Sequence, residues 1–249
     1  MRVNFTNFPK EFKVLKKELN HKFNKISSEG QYVLGKELIV FEEKVKKYLN
    51  VKHVLGVGNW TEGTVMVLKA LGYKQNDEII TVSNSFIATC GAIAYAGMKP
   101  RLADIGEDLN IDCKKIEKLI NKKTKAIMPV HLSGIPSDLE KIKKICKKYK
   151  INLIEDAAHA FGTKYKNKFI GTIGDVGVFS LHPRKSFHIL GDGGLIVTNN
   201  TNLYKKILLM RNHGLKNRDE SLIWGTNSRL DNLQAGFGNI MLKKIASWN

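Results

Sequence analysis

Cysteine is scarce in this chain of 249 residues: Cys90, Cys113 and Cys146 are scattered and odd in number. That excludes a disulfide framework and points to a reducing compartment. No C-x-x-C pair or His/Cys cluster has zinc spacing, so no metal site is expected. No apolar run reaches the length that spans a bilayer. The start, MRVNFTNFPKEFK, lacks the apolar segment of a secretory signal, so a cytoplasmic protein is expected. Internal repeats and low-complexity linkers are also missing. Acidic residues are in the minority, 23 against 41 Lys and Arg, for a net charge of +18. Such an imbalance raises nucleic acid or an anionic membrane surface as partners. Yet no basic stretch is interleaved with aromatics, and the lysines follow helix faces, as in KKIEKLINKKTK (114–125) and KIKKICKKYK (141–150). Neither nucleic acid nor membrane is therefore expected, and a mildly positive pocket for a phosphorylated ligand fits the charge equally well.

Apolar residues, by contrast, make up 43% of the chain, enough for a sizeable core. From about residue 78, short apolar runs alternate with amphipathic stretches. EIITVS (78–83), PRLADI (100–105), KAIMPVHL (125–132) and INLIED (151–156) have the length and composition of buried strands. Between them, 85–97, 111–120 and 137–148 have helical patterning, the last opened by an S-x-x-E box at Ser137 and Glu140. Earlier, 10–25 and 36–49 are helical; Leu38, Phe41, Val45 and Leu49 form the apolar stripe of the second. Shorter strands near 176–181 and 194–198 precede a helix near 201–211. This alternation predicts an α/β fold with a mostly parallel central sheet and helices on both faces. Ligands of such sheets bind beyond the carboxyl ends of the strands.

Three segments carry candidate chemistry. In GVGNWTEGTVMVLKALG (56–72) a strand, His53–Val57, meets a glycine-bearing turn and a helix that starts near Thr61. A helix start offers free N–H groups and a positive dipole end, suited to phosphate, and Thr61 adds a hydroxyl. The bland alternative is an ordinary turn capped by Thr61. In IEDAAHAFG (154–162), Asp156 ends a strand among small residues, where it either faces a flat ligand or serves as a cap or ion-pair partner. In FSLHPRKSFHILGDGG (179–194), Ser180 lies on the opposite strand face from Phe179, Pro183 ends the strand, and Lys185 follows on a turn. A lysine becomes nucleophilic when its surroundings favour the neutral amine. Pyridoxal 5′-phosphate needs this combination: a lysine, an acid for the pyridine nitrogen, donors for a phosphate and a flat group against the ring.

Taken together, these segments resemble the DegT/StrS-type nucleotide-sugar aminotransferases, a pyridoxal-phosphate family of fold type I. The likeness extends from about residue 10 to the end. It is carried in order by GQYVLGKELIVFEEKVKKYLNVKHVLGVGN (30–59), NDEIITVSNSFIATCGAIAYAGMKPRLADI (76–105), HLSG (131–134), EDAAHAFG (155–162), FSLHPRK (179–185), GDGG (191–194) and NSRLDNLQA (227–235). The resemblance implies that Lys185 is the Schiff-base lysine and Asp156 the pyridine-nitrogen acid. It places His159 against the ring's phenolic oxygen and Phe86 on the ring face. It gives the phosphate to Thr61, the Trp60 amide and Ser180, and to Asn227 of a second subunit, so that a homodimer is expected. Arg229 is implied to project across that interface toward substrate or phosphate. Two residues depart from the pattern. Trp60 replaces a small residue, so that its ring needs room, with the substrate cleft as one candidate. His188 also replaces a small residue. The resemblance further implies that residues 1–249 are the cofactor-binding large domain with its N-terminal helices. The family's smaller C-terminal domain is then absent or truncated.

The implied activity is transfer of an amino group from glutamate, through the pyridoxal and pyridoxamine 5′-phosphate forms, to a keto group of a nucleotide-linked deoxysugar. Its product would serve lipopolysaccharide, other glycans or related amino-sugar synthesis. The spacing from Lys185 to GDGG is closer to members that aminate C3 than to GEGG-type C4 enzymes. A sugar dehydratase of the same fold replaces the lysine with histidine, which Lys185 argues against. A non-catalytic or regulatory cofactor-binding protein is the remaining alternative.

Overall fold

The computed structural model describes residues 6–248; the first five residues of the amino-terminal stretch considered above, and Asn249, lie outside the described residues. Helix α1 (Phe8–Glu29) is opened by Asn7, whose side chain accepts the Lys10 amide at 3.1 Å. It is closed by Gly30 at φ +67°. Helix α2 (Lys36–Leu49) buries the predicted stripe of Leu38, Phe41, Val45 and Leu49. Strand β1 (His53–Val57) leads into α3 (Trp60–Ala70). Then follow β2 (Glu78–Val82), α4 (Ala88–Tyr95), β3 (Lys99–Ala103), α5 (Cys113–Ile116), β4 (Thr124–Ile127), α6 (Leu139–Tyr149) and β5 (Asn152–Asp156). A two-residue hairpin, β6 (Lys164–Tyr165) and β7 (Lys168–Phe169), precedes β8 (Val176–Ser180), β9 (Gly194–Thr198), α7 (Thr201–Met210) and α8 (Asn232–Trp248).

The main sheet has seven strands in the order β1-β9-β8-β5-β4-β2-β3. Strands β8, β5, β4, β2 and β3 run parallel, while β9 is antiparallel to both of its neighbours. Successive residues of each strand point to opposite faces. Ile79, Ile154, Val178 and Ile196 thus enter one core cluster, and Ile80, Leu153, Phe179 and Leu195 enter the other. Both faces are apolar because helices cover both, as the sequence pattern predicts. On the second face α2 packs against β1, and α8 packs against α1 and α2.

Several local expectations are corrected. The helix expected over 111–120 is a single turn plus a 3-10 turn at Glu117–Leu119. The helix expected from residue 85 starts at Ala88; Ser85 and Phe86, ahead of it, line a cleft. Helix α6 is capped by Asp138, whose side chain accepts the Lys141 amide at 3.1 Å. Ser137 is fully buried instead and points its hydroxyl toward Asn110 and the Val130 carbonyl. Its backbone is thereby free to donate to His131.

Candidate active site

The carboxyl ends of β5 and β8 and the amino end of α3 surround an open cleft of about 1050 Å³. Its walls include Trp60, Thr61, Phe86, Asp156, His159, Ser180 and Lys185. Seven of the nine sequence-predicted site residues therefore share one cavity. Asn227 and Arg229 are not among its walls. Asn227 is exposed and bridges to Asn212, while Arg229 donates to the Asn212 side chain at 2.9 Å.

Asn59, not Thr61, caps α3, accepting the Glu62 amide on its side chain at 2.9 Å and the Gly63 amide on its carbonyl. The amides of Trp60 and Thr61 precede any intrahelical partner and face the dipole's positive end. Close approach of β9 sets this helix start in place. A Cβ on Gly194 would lie 2.8 Å from the Asn59 carbonyl carbon and 3.0 Å from the Trp60 nitrogen. The Trp60 ring does not project into the substrate space. It is buried, and its indole N–H donates to the Val178 carbonyl at 3.1 Å. The bulky substitution is accommodated under the helix.

Asp156 ends β5 and is 3% exposed. Its Oδ1 accepts the Ala158 amide at 3.2 Å and its Oδ2 accepts the Thr89 hydroxyl at 2.9 Å. Burial pushes its pKa up to about 6, against the opposing pull of those donors and of His131 and Lys185. Lys185 sits on the connection between β8 and β9. Leu181 donates to the Gly193 carbonyl at its base, Ile189 donates to the Leu181 carbonyl, and the Lys185 amide donates to the His182 carbonyl. Half-burial lowers the Lys185 pKa, opposed by the Asp156 charge. His159 is lowered too, first by burial and then by the Lys185 charge, and its Nδ1 accepts the Ser133 amide at 3.3 Å. Acid, amine and imidazole thus act on one another across one space. Phe86 is 72% exposed on the lip, so it is a wall of the cleft and not core.

Beneath the site lies a buried pair, Glu155 and His131. Glu155 is fully buried. One oxygen accepts the Ile173 and Gly174 amides at 2.7 and 2.6 Å; the other accepts the Gly171 amide at 2.7 Å and faces His131 Nε2 at 3.2 Å. His131 Nδ1 accepts the Ser137 amide at 3.1 Å, so the ring proton is on Nε2 and donates to Glu155. His188, the other departure from the family pattern, pairs with Glu11 at 2.9 Å and ties the lysine segment to α1. Trp224 is 98% exposed, which excludes packing within the chain. Thr89, absent from the predicted site, is the residue that sequence reasoning missed.

Among the described residues no group of three or more His, Cys, Asp or Glu is gathered for a metal, and no helix is long and apolar enough to cross a membrane.

The chain resembles curated transaminases throughout. It is 33% identical to the dTDP-3-amino-3,4,6-trideoxy-alpha-D-glucose transaminase of Streptomyces venezuelae over all of this chain and 66% of that protein. It is 40% identical to the dTDP-3-amino-3,6-dideoxy-alpha-D-galactopyranose transaminase of Aneurinibacillus thermoaerophilus over 92% of this chain and 63% of that protein. A protein of Geobacillus stearothermophilus named "pleiotropic regulatory protein" is 36% identical over the whole chain and 67% of its own length. The chain thus spans about two thirds of the length of these relatives. The crystal structure of S. venezuelae DesV in complex with a ketimine intermediate superposes with a TM-score of 0.96 at 33% identity, over 99% of this chain and 67% of that one. The family model for the DegT/DnrJ/EryC1/StrS aminotransferases matches residues 13–249, and the chain belongs to that family.

Proposed function

We propose that this protein is a pyridoxal 5′-phosphate-dependent aminotransferase that moves an amino group from glutamate to a keto group of a nucleotide-linked sugar. The observation that carries the reading is the joint presence of Lys185, Asp156 and the free start of α3 in one cleft. The donor set fits the cofactor. The cleft gathers a buried carboxylate, the helix-start amides with two hydroxyls, and an amine of depressed pKa.

When bound, the cofactor supplies an aldehyde that takes up the donor's nitrogen and an electron-withdrawing ring that makes the adjacent C–H acidic. The protein does the rest. Thr61, Ser180 and the Trp60 and Thr61 amides would hold the phosphate. Asp156 would keep the ring nitrogen protonated by its negative charge. His159 would offer an imidazole nitrogen to the phenolic oxygen. Phe86 would cover the ring and exclude water. Lys185 would anchor the group through its amine and, as a free amine, would serve as general base and acid toward the substrate's acidic C–H. Burial favours its neutral form, which that role requires. Asn227 and Arg229 act from a partner subunit, since within one chain they stand away from the cleft; the functional unit is then a homodimer. The product enters amino-sugar or lipopolysaccharide synthesis in the cytoplasm.

A purely regulatory role, as one relative's name says of that protein, would not need the lysine and acid to be kept together. The test is spectroscopic. The purified protein with pyridoxal phosphate is expected to show an absorbance band near the visible edge that borohydride traps on Lys185. Glutamate should shift the band, and keto nucleotide sugars should then be aminated, as read by mass spectrometry. Lys185→Arg should lose the trapped adduct. A wild-type protein with no trappable band would overturn the reading.

A further inference from the structure

The segment SFIAT (85–89) carries Phe86 on the lip of the cleft. The structure shows that the polar ends of this segment are joined. Thr89 is 2% exposed, and its hydroxyl lies 2.9 Å from Asp156 Oδ2 and 2.7 Å from the Ser85 hydroxyl. An ionised carboxylate only accepts, and a threonine hydroxyl has one proton. Thr89 must therefore donate to Asp156, and Ser85 must donate to Thr89. The direction of the whole chain follows from the charge on the acid. Protonation of Asp156 removes the need for that donation, and both hydroxyls are free to reverse, with the half-buried Ser85 at the cleft wall as the outer end. The same turn is closed by the Thr89 amide donating to the Phe86 carbonyl at 3.1 Å. The chain from Asp156 outward thus ends on the backbone that carries Phe86.

We propose that Thr89, with Ser85 behind it, is the positioning residue of Asp156: a two-hydroxyl relay that aims the carboxylate into the cleft and ties its protonation state to the turn bearing Phe86. This deepens the aminotransferase reading and rests on it for its functional meaning, because one relay would then register both the acid under the ring nitrogen and the aromatic over the ring face. The other groups acting on Asp156 are the Ala158 amide, on the other oxygen, the nearby His131 and the Lys185 charge. None of them hydrogen-bonds to the turn at 85–89, so the relay is a separate route from the acid to the lip.

The experiment uses the full chain without and with pyridoxal phosphate. The Asp156 carboxyl carbon is titrated by NMR after 13C-aspartate labelling, with Asp156→Asn for assignment. A donor on a charged acceptor stabilises the charge, so Thr89→Val is expected to raise the cofactor-free midpoint by about 1 pH unit or more. Thr89→Ser, which keeps the hydroxyl, should return it to the wild-type value. In a Phe86→Trp background, indole emission should follow the same midpoint, and Thr89→Val should abolish that pH dependence. Ser85→Ala, at a half-buried position, gives a second variant should Thr89→Val fail to fold, with a smaller rise in the same direction. An unmoved midpoint in both Thr89→Val and Ser85→Ala overturns the relay, as does a Thr89→Ser midpoint displaced as far as that of the valine variant. The cofactor-free titration tests the relay alone. Failure of the aminotransferase reading would show separately, as a wild-type protein that binds no pyridoxal phosphate.

Discussion

Replacing Glu155 by glutamine would remove one charge and almost no volume, yet it should be among the most damaging single changes in the molecule. Four donors converge on this carboxylate: the amides of Gly171, Ile173 and Gly174, and Nε2–H of His131. A glutamine has one acceptor oxygen. If that oxygen keeps the Ile173 and Gly174 amides, the new NH₂ faces the Gly171 amide and His131. A tautomer change lets His131 accept, but it turns Nδ1–H against the Ser137 amide and so only moves the conflict. The flipped amide opposes Ile173 and Gly174 instead. Every arrangement leaves two buried donor–donor conflicts, at about 1–3 kcal/mol each, or roughly 2–6 kcal/mol in total. A domain of this kind has only about 5–15 kcal/mol of stability. Urea unfolding followed by circular dichroism is the assay, with the loss appearing as a lower midpoint at unchanged slope. A Glu155→Gln variant within about 1 kcal/mol of the parent would refute the four-donor account.

Two further outcomes follow from the site. The folded pKa of Asp156, about 6, lies above the ordinary aspartate value of 3.8. The folded state therefore holds its proton over a window where the unfolded chain has lost it; the stabilising contribution is complete below about pH 4 and is lost as pH rises through 6, by about 3 kcal/mol. Asp156→Asn should flatten that part of the stability–pH curve in the cofactor-free protein, and a curve of unchanged steepness would count against the assignment. Gly194→Ala places a methyl against the Asn59–Trp60 peptide, whose backbone has no way to yield except by shifting the start of α3. Pyridoxal-phosphate binding should weaken by at least tenfold in an equilibrium titration, about 1.4 kcal/mol, while pyridoxal without the phosphate should be affected much less.

Much of this arrangement was legible in the residues, and what was not has a physical reason. The stripe at Leu38, Phe41, Val45 and Leu49 reports burial directly, because helical spacing and an apolar partner surface are the same fact. The strands ending at Asp156 and Ser180 were visible as apolar runs. Their order in the sheet was not, since the antiparallel insertion of β9 between β1 and β8 depends on pairing between residues far apart in sequence. Over 111–120 the apolar spacing was genuine, but only Ile111 and Ile116 are buried there, and the α turn that carries Ile116 passes directly into a 3-10 turn. At Ser137 the capping signature was satisfied by composition and overruled by burial: the serine is needed under His131, and the neighbouring Asp138 caps in its place. Thr89 escaped notice because a threonine in a small-residue helix carries no pattern of its own. Only the fold brings it to the acid 67 residues away. Trp60 was noticed as an anomaly, but the direction of its ring depends on the Val178 carbonyl and could not be had from spacing.

The segment bearing Lys185 joins two strands that are already neighbours, and the Leu181–Gly193 hydrogen bond seals it at its root. Nothing between Pro183 and Gly191 is needed for strand pairing. Exchanges in that stretch that keep the buried Phe187 and Ile189 would re-dress the surroundings of the reactive amine and leave the register of the sheet alone. The scaffold therefore allows its chemistry to be retuned as a cassette, a freedom that a helical crossover at the same place would deny.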